Sequence, residues 1–281
     1  MVEHGESISR IRTSEGLKEF RMSLLASARE DTPQLASVHP TEIDAIVDTL
    51  LDLLQKFEHA ARPHPAIHAD TDVVMIVSGP GEYSQTIEPK EEKLDRYRNF
   101  PWARKMDRAR VRAGVTLVRE VTAKRLEKPA AEVTEEDIAN HGPWLHYAST
   151  SWENNHIRHA LAQPALGMPS SKIFMYTFLD DHGKERQFIN TATQMEGLEF
   201  PEGSRPRRVL VVSHPPHLVR TAYLMERSKE RIPKGTVVQF FPIPTPKEAV
   251  EPYGLMELRG VFAAIYKLGT AAKTPFNFSL E

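Results

Sequence analysis

The chain has no cysteine, which excludes disulfides, thiolate metal ligands and a cysteine nucleophile. It has no excess of either charge. A formal net charge of −2 does not draw it to nucleic acid or to an anionic membrane surface. No apolar run approaches a membrane span in length, and the opening MVEHGESISRIR lacks the apolar core of a signal peptide. Internal repeats and low-complexity tracts are also missing. These absences lead to the expectation of a soluble, cytoplasmic protein with no membrane and no nucleic-acid partner. A hydrophobic share of 40% over 281 residues is enough for one large packed domain, or one domain with an extension.

Against that background, short apolar runs alternate with helical patterns. DVVMIV (72–77), WLHYA (144–148), KIFMYTF (172–178), VLVV (209–212) and VVQFF (237–241) read as strands buried on both faces. Ile43, Ile46, Val47, Leu50, Leu51, Leu54 and Phe57 form an apolar stripe at helical period, with Thr41 as the expected N-cap. Further helices are expected over 104–124, from near Asn190, from 217 and over 255–268, and residues 86–100 are expected to form a loop or lid. Strands alternating with helices predict an α/β fold. The expected form is a Rossmann-like parallel sheet of about five strands flanked by helices, with residues 1–65 as an N-terminal helical extension and 66–281 as the α/β domain.

In such sheets ligands bind beyond the carboxyl ends of the strands, where helix N-termini favour anions. The turns at those ends supply the candidates. After the first strand come Ser78, Gly79 and Gly81, the glycines allowing close backbone approach. After the second come Ser149 and Ser151, small hydroxyl residues suited to an anion, then Glu153 and Asn154 at a helix start. Glu153 is a candidate general base or hydroxyl anchor, and equally a carboxylate that merely stabilises its helix N-terminus. Asn190 and Thr191 read as caps or as ligand contacts. In RRVLVVSHPPHLVRTAYLM, Ser213 ends a strand, and His217 and Arg220 lie three apart on one helical face, suited to a phosphate or carboxylate. The plainer reading has His217 as a cap and Arg220 as a solvated or salt-bridged side chain. From the basic run Arg104, Lys105, Arg108, Arg110, Arg112 and Arg119, otherwise a solvated face, Arg110 is the candidate anion ligand. His214 and His217, with His182 or Glu153, have no obvious third metal ligand, so no metal is expected.

Taken in order, these motifs resemble the YdcF-like domain family, also called SanA-like or ElyC-like. The resemblance rests on DVVMIVSGPG, RVRAGVTL with Arg110, HYASTSWEN with Glu153, GMPSSKIFMY, NTATQ with Asn190 and Thr191, and VVSHPPHLVRTA with His217 and Arg220, over about 72–268. Thr150 and Ser151 replace family glycines, and Thr193 and Gln194 replace a glutamate-asparagine pair. The resemblance implies a Rossmann-like fold with these polar residues gathered at the strand ends. Because one member of the family binds it, S-adenosylmethionine is a possible cofactor. The expected function is an enzyme acting on a small anionic or nucleotide-like molecule, with Glu153 and His217 catalytic. Two alternatives stand beside it: a non-catalytic S-adenosylmethionine or nucleotide binder, and an interaction protein that uses its N-terminal helices.

Overall fold

The computed structural model describes residues 14–78, 103–186 and 190–266. Its centre is a five-stranded, all-parallel sheet in the order β3-β2-β1-β4-β5. The strands are β1 (Thr71–Ile76), β2 (Trp144–Ala148), β3 (Ile173–Tyr176), β4 (Arg208–Ser213) and β5 (Val237–Pro242). This is the Rossmann order, so the expected fold class is the observed one.

Alternation along each strand divides the core into two layers. Val73, Met75, Val77, Val209, Val211 and Phe240 face one side. There they meet α1 (Ser14–Asp31) through Phe20 and Leu24, and α2 (Pro40–Ala60) through Val47, Leu50 and Leu54. The same layer holds Met195 of α6 (Thr191–Glu196), Leu218 and Ala222 of α7 (Pro215–Arg227), and Leu258 and Val261 of α8 (Val250–Tyr266). Val74, Ile76, Leu145, Leu210, Val212 and Phe241 face the other side. They pack on α3 (Ala103–Leu126), α4 (Glu135–His141) and α5 (Ser151–Leu161) through Val111, Val118, Ile138 and Ile157. The N-terminal helices are thus part of the main core, with the Phe57 and Phe240 rings 5.5 Å apart. Gly114 brings α3 close to β1: a Cβ there would lie 2.5 Å from Ile76 Cδ1.

Three local expectations are corrected. The N-cap of α2 is His39, not Thr41, because Pro40 with its fixed φ takes the first helical position. His39 accepts instead from the Thr41 backbone N–H. The third strand ends at Tyr176; Asn154 takes the Tyr176 carbonyl, and Phe178 turns away to pack on Gly197. The last helix begins at Val250 rather than 255, since Pro252 falls in its first turn, where a missing N–H costs nothing. The expected lid at 86–100 lies outside the described residues, as do Gly79 and Gly81. Among the described residues no helix is long and apolar enough to cross a membrane.

β1 has β2 on one side and β4 on the other, so the chain winds outward from it in both directions. The crevice at the carboxyl ends of β1 and β4 is the topological switch point of the sheet.

Candidate functional site

Buried polar residues crowd the switch point. β4 delivers Ser213 and His214 there, and α7 starts immediately with Pro215 and Pro216. His214, not His217, is the N-cap of α7, and it makes no side-chain cap bond. Its ring faces carbonyls instead: Nδ1 lies 3.1 Å from Pro244 O and Nε2 3.3 Å from Met106 O. That removes it as a metal ligand in this arrangement. Among the described residues no three His, Asp or Glu side chains gather as a metal site.

His217 sits a turn later and is 1% exposed. Its Nδ1 lies 3.2 Å from Ser213 Oγ and its Nε2 3.1 Å from Thr191 Oγ1. Arg220 Nη2 donates to the same Thr191 oxygen at 2.6 Å. With a neutral imidazole the set closes in either tautomer: Thr191 accepts from Arg220 and donates to His217 Nε2 while Nδ1–H donates to Ser213, or Thr191 accepts from both Arg220 and Nε2–H while Ser213 donates to Nδ1. Burial, then the charges of Arg220, Arg110 and His214, hold the His217 pKa well below its ordinary value. Arg220 Nη1 also pairs at 3.2 Å with Glu257 Oε2 of α8, an ion pair in which that oxygen receives no hydrogen bond. Gly260 makes room for it, since a Cβ there would lie 2.9 Å from Arg220 Nη1.

The end of β2 contributes the acid. Thr150 caps α5 by accepting from the Glu153 N–H at 3.3 Å, which places Glu153 in the first turn. Its carboxylate accepts from the Tyr147 hydroxyl and the Ser149 hydroxyl. Burial raises the Glu153 pKa, against the opposing pull of those two hydroxyls and of the Arg110 charge. Asn154 acts as a brace, its Nδ2 donating to Tyr176 O at 2.7 Å and Ser149 O at 3.2 Å across β2 and β3. The anion place at Ser151 is already filled: the Glu185 carboxylate accepts from its N–H and its hydroxyl.

Arg110 lies on α3, 2% exposed, with Asp107 one turn earlier as its ion-pair partner. The pair uses Nη2; Nη1 is buried with no hydrogen bond. Its charge bears on Glu153, His214, His217 and Glu257. Above β1, Ser78 Oγ accepts from Gln194 Nε2, while Gln194 Oε1 is buried without a partner.

Ser78, Arg110, Ser149, Glu153, Thr191, Ser213, His217 and Arg220 are therefore brought together in one linked set. Ser78 joins it through its hydrogen bond with Tyr147, which in turn donates to Glu153. Asn154 and Ser151 border the set, committed to the backbone and to Glu185. Asn190 is exposed and caps α6, accepting from the Thr193 N–H at 3.0 Å. Sequence reasoning missed Tyr147, Asp107 and Glu257 entirely. Gln194 stood out only as a departure from the family pattern. Tyr147 sits inside an apolar strand and Glu257 inside an apolar helical stripe, so neither carries a periodic signal.

No family model, no curated protein and no solved structure matches the chain. The resemblance to the YdcF-like domains therefore rests on its ordered motifs alone.

Proposed function

We propose that the protein is an enzyme acting on a small molecule with a phosphate or carboxylate group, bound at the switch point. One observation carries this reading: the Arg110 guanidinium is buried, and while Nη2 is paired with Asp107, Nη1 has no acceptor. A buried cation is retained at a cost of several kcal/mol unless its protons find acceptors, and an oxyanion supplies them. Arg220 adds a second positive charge to the same network. Glu153 serves as the acid or base, because burial holds its pKa above that of an exposed glutamate and its carboxylate lies in the same network as Arg110. In this reading His217 stays neutral, and by holding Thr191 it orients Arg220 rather than exchanging protons with bulk water.

Calorimetric titration with inorganic phosphate and adenosine 5′-monophosphate tests the site. The expected result is binding that Arg220→Gln weakens by about 10- to 100-fold, as for a lost charge-assisted hydrogen bond. Affinity unchanged in that variant overturns the assignment. Products appearing from a bound phosphate ester, and lost in Glu153→Gln, establish catalysis. The runner-up, a non-catalytic S-adenosylmethionine binder, predicts a thermal shift with that cofactor and no turnover.

A further inference from the structure

The opposite rim of the sheet carries a second feature. A cleft of ≈ 250 Å³ lies at the amino ends of the strands, lined by Asp72, Arg125, Trp144, Lys172, Ser204 and Arg205 together with Val73, Gly142 and Pro206. β1 spans six residues, so this cleft lies about 20 Å from the switch point.

Its wall is positive. Among the described residues Asp72 is the only carboxylate lining it, and both of its oxygens are already engaged. Oδ1 accepts from Arg125 Nη2 and Arg207 Nη2, both at 3.1 Å. Oδ2 accepts from the Arg207 N–H at 2.8 Å and from its Nε at 3.1 Å. Nearby Asp70 pairs with Arg208 at 3.1 Å. Arg125 gives three further bonds, to the carbonyls of Ala69, Thr71 and His141. Lys172 is different. Its ammonium stands 5.6 Å over the Trp144 ring, partly desolvated, with no carboxylate partner among the described residues. Ser204 Oγ is likewise buried with no hydrogen-bond partner. Arg205 is exposed on the rim. An ammonium and a hydroxyl, both without acceptors and facing one concavity, are complementary to an oxyanion.

We infer that this cleft is a second binding site, for the phosphate or carboxylate group of a small molecule, in which Lys172 and Ser204 hold the oxyanion and Trp144 closes one wall. The site stands on its own side of the sheet and does not depend on the reading of the switch point.

Trp144 gives a local readout. The chain has three tryptophans, and replacing Trp102 and Trp152 with phenylalanine leaves Trp144 as the only one. This protein is titrated with inorganic phosphate and, separately, with acetate, at ionic strength matched by sodium chloride. The expected result is a saturable change in Trp144 fluorescence with at least one of the two anions and none with chloride. Lys172→Gln should weaken it at least about tenfold, and Lys172→Arg should retain it. Arg220→Gln should leave it unchanged, which separates this site from the switch point. Far-UV circular dichroism checks that each variant is folded. A linear response, an equal response to chloride, or unchanged affinity in folded Lys172→Gln protein would overturn the inference.

Discussion

The two ends of one sheet handle charge in opposite ways. At the amino ends, Asp72, Arg125, Arg207, Asp70 and Arg208 form pairs near the surface, with the Arg207 side chain 67% exposed. At the carboxyl ends, Arg110, Glu153, His217 and Glu257 are each 5% exposed or less, and several of their polar atoms have no hydrogen bond. Surface pairs are worth little and are easily replaced. Buried, incompletely satisfied charge is costly, and a fold keeps it where something else is gained. The two ends therefore hold charge differently: the amino end pairs it near the surface, and the carboxyl end concentrates it in the interior. The cleft at Lys172 qualifies the contrast, because among the described residues it leaves one ammonium without a carboxylate beside the pairs of Asp72.

Acid should expose the contrast most strongly. At the carboxyl end, burial and the Arg110 charge hold His214 down to about 3, and in the middle of β2 burial holds His146 down to about 4. Both folded values lie below the unfolded value of about 6.5, so the unfolded chain takes up protons first. Their stabilising contribution is fully present above that value and declines as pH falls from about 6.5 toward 4. The slope is about 1.4 kcal/mol per pH unit for each histidine. At the amino end burial raises the Asp72 pKa, but the bonds from Arg207 and the charge of Arg125 bring it below its usual range. Those pairs should outlast the carboxyl-end network. Denaturant melts at stepped pH measure the slope, and flat stability between pH 6.5 and 4.5 would contradict it.

The next largest effect belongs to the Arg110–Asp107 pair. Arg110→Met strands a buried carboxylate and should cost about 3–5 kcal/mol. Removing both partners, as Arg110→Met with Asp107→Leu, should recover that loss or exceed it while abolishing oxyanion binding. Chemical denaturation of the single and double variants tests this, and equal losses in both would show that the pair holds the fold rather than a ligand. Asp72→Asn, the matching change at the other end, should cost only about 1 kcal/mol in the same assay. A loss near that of Arg110→Met would erase the distinction between the ends.

The smallest stability change should come from Gly260→Ala. The added methyl meets the far end of Arg220, a flexible side chain that can move aside. In α8 the substitution also gains helix propensity, roughly 0.5–1 kcal/mol, which offsets the displacement. Melting should stay within about 1 kcal/mol of the parent. Oxyanion affinity should fall, because Arg220 leaves Thr191. Unchanged affinity in calorimetry would mean that Arg220 is not a ligand.

Periodicity alone located the five strands and the apolar stripes of α2 and α7, because two-sided burial forces continuous apolar runs and one-sided burial forces a 3.6-residue repeat. Turn chemistry pointed to Ser78, Glu153, Thr191 and His217, since the carboxyl ends of parallel strands meet at one rim in any sheet of this class. Asn190 takes the cap role that the sequence also offered: its side chain closes a helix turn and stays exposed. Tyr147, Gln194 and Glu257 were decided by the tertiary structure, because each becomes polar context only when β2, α6 and α8 pack beside α3 and α7. The same holds for Ser151 and Glu185, 34 positions apart, whose pairing no local pattern encodes. Local sequence thus determined which segments are buried and which turns carry polar groups. Only packing determined which of those groups satisfy one another and which are left facing inward with protons to give, since hydrogen-bond partners are set by distance in space and not along the chain.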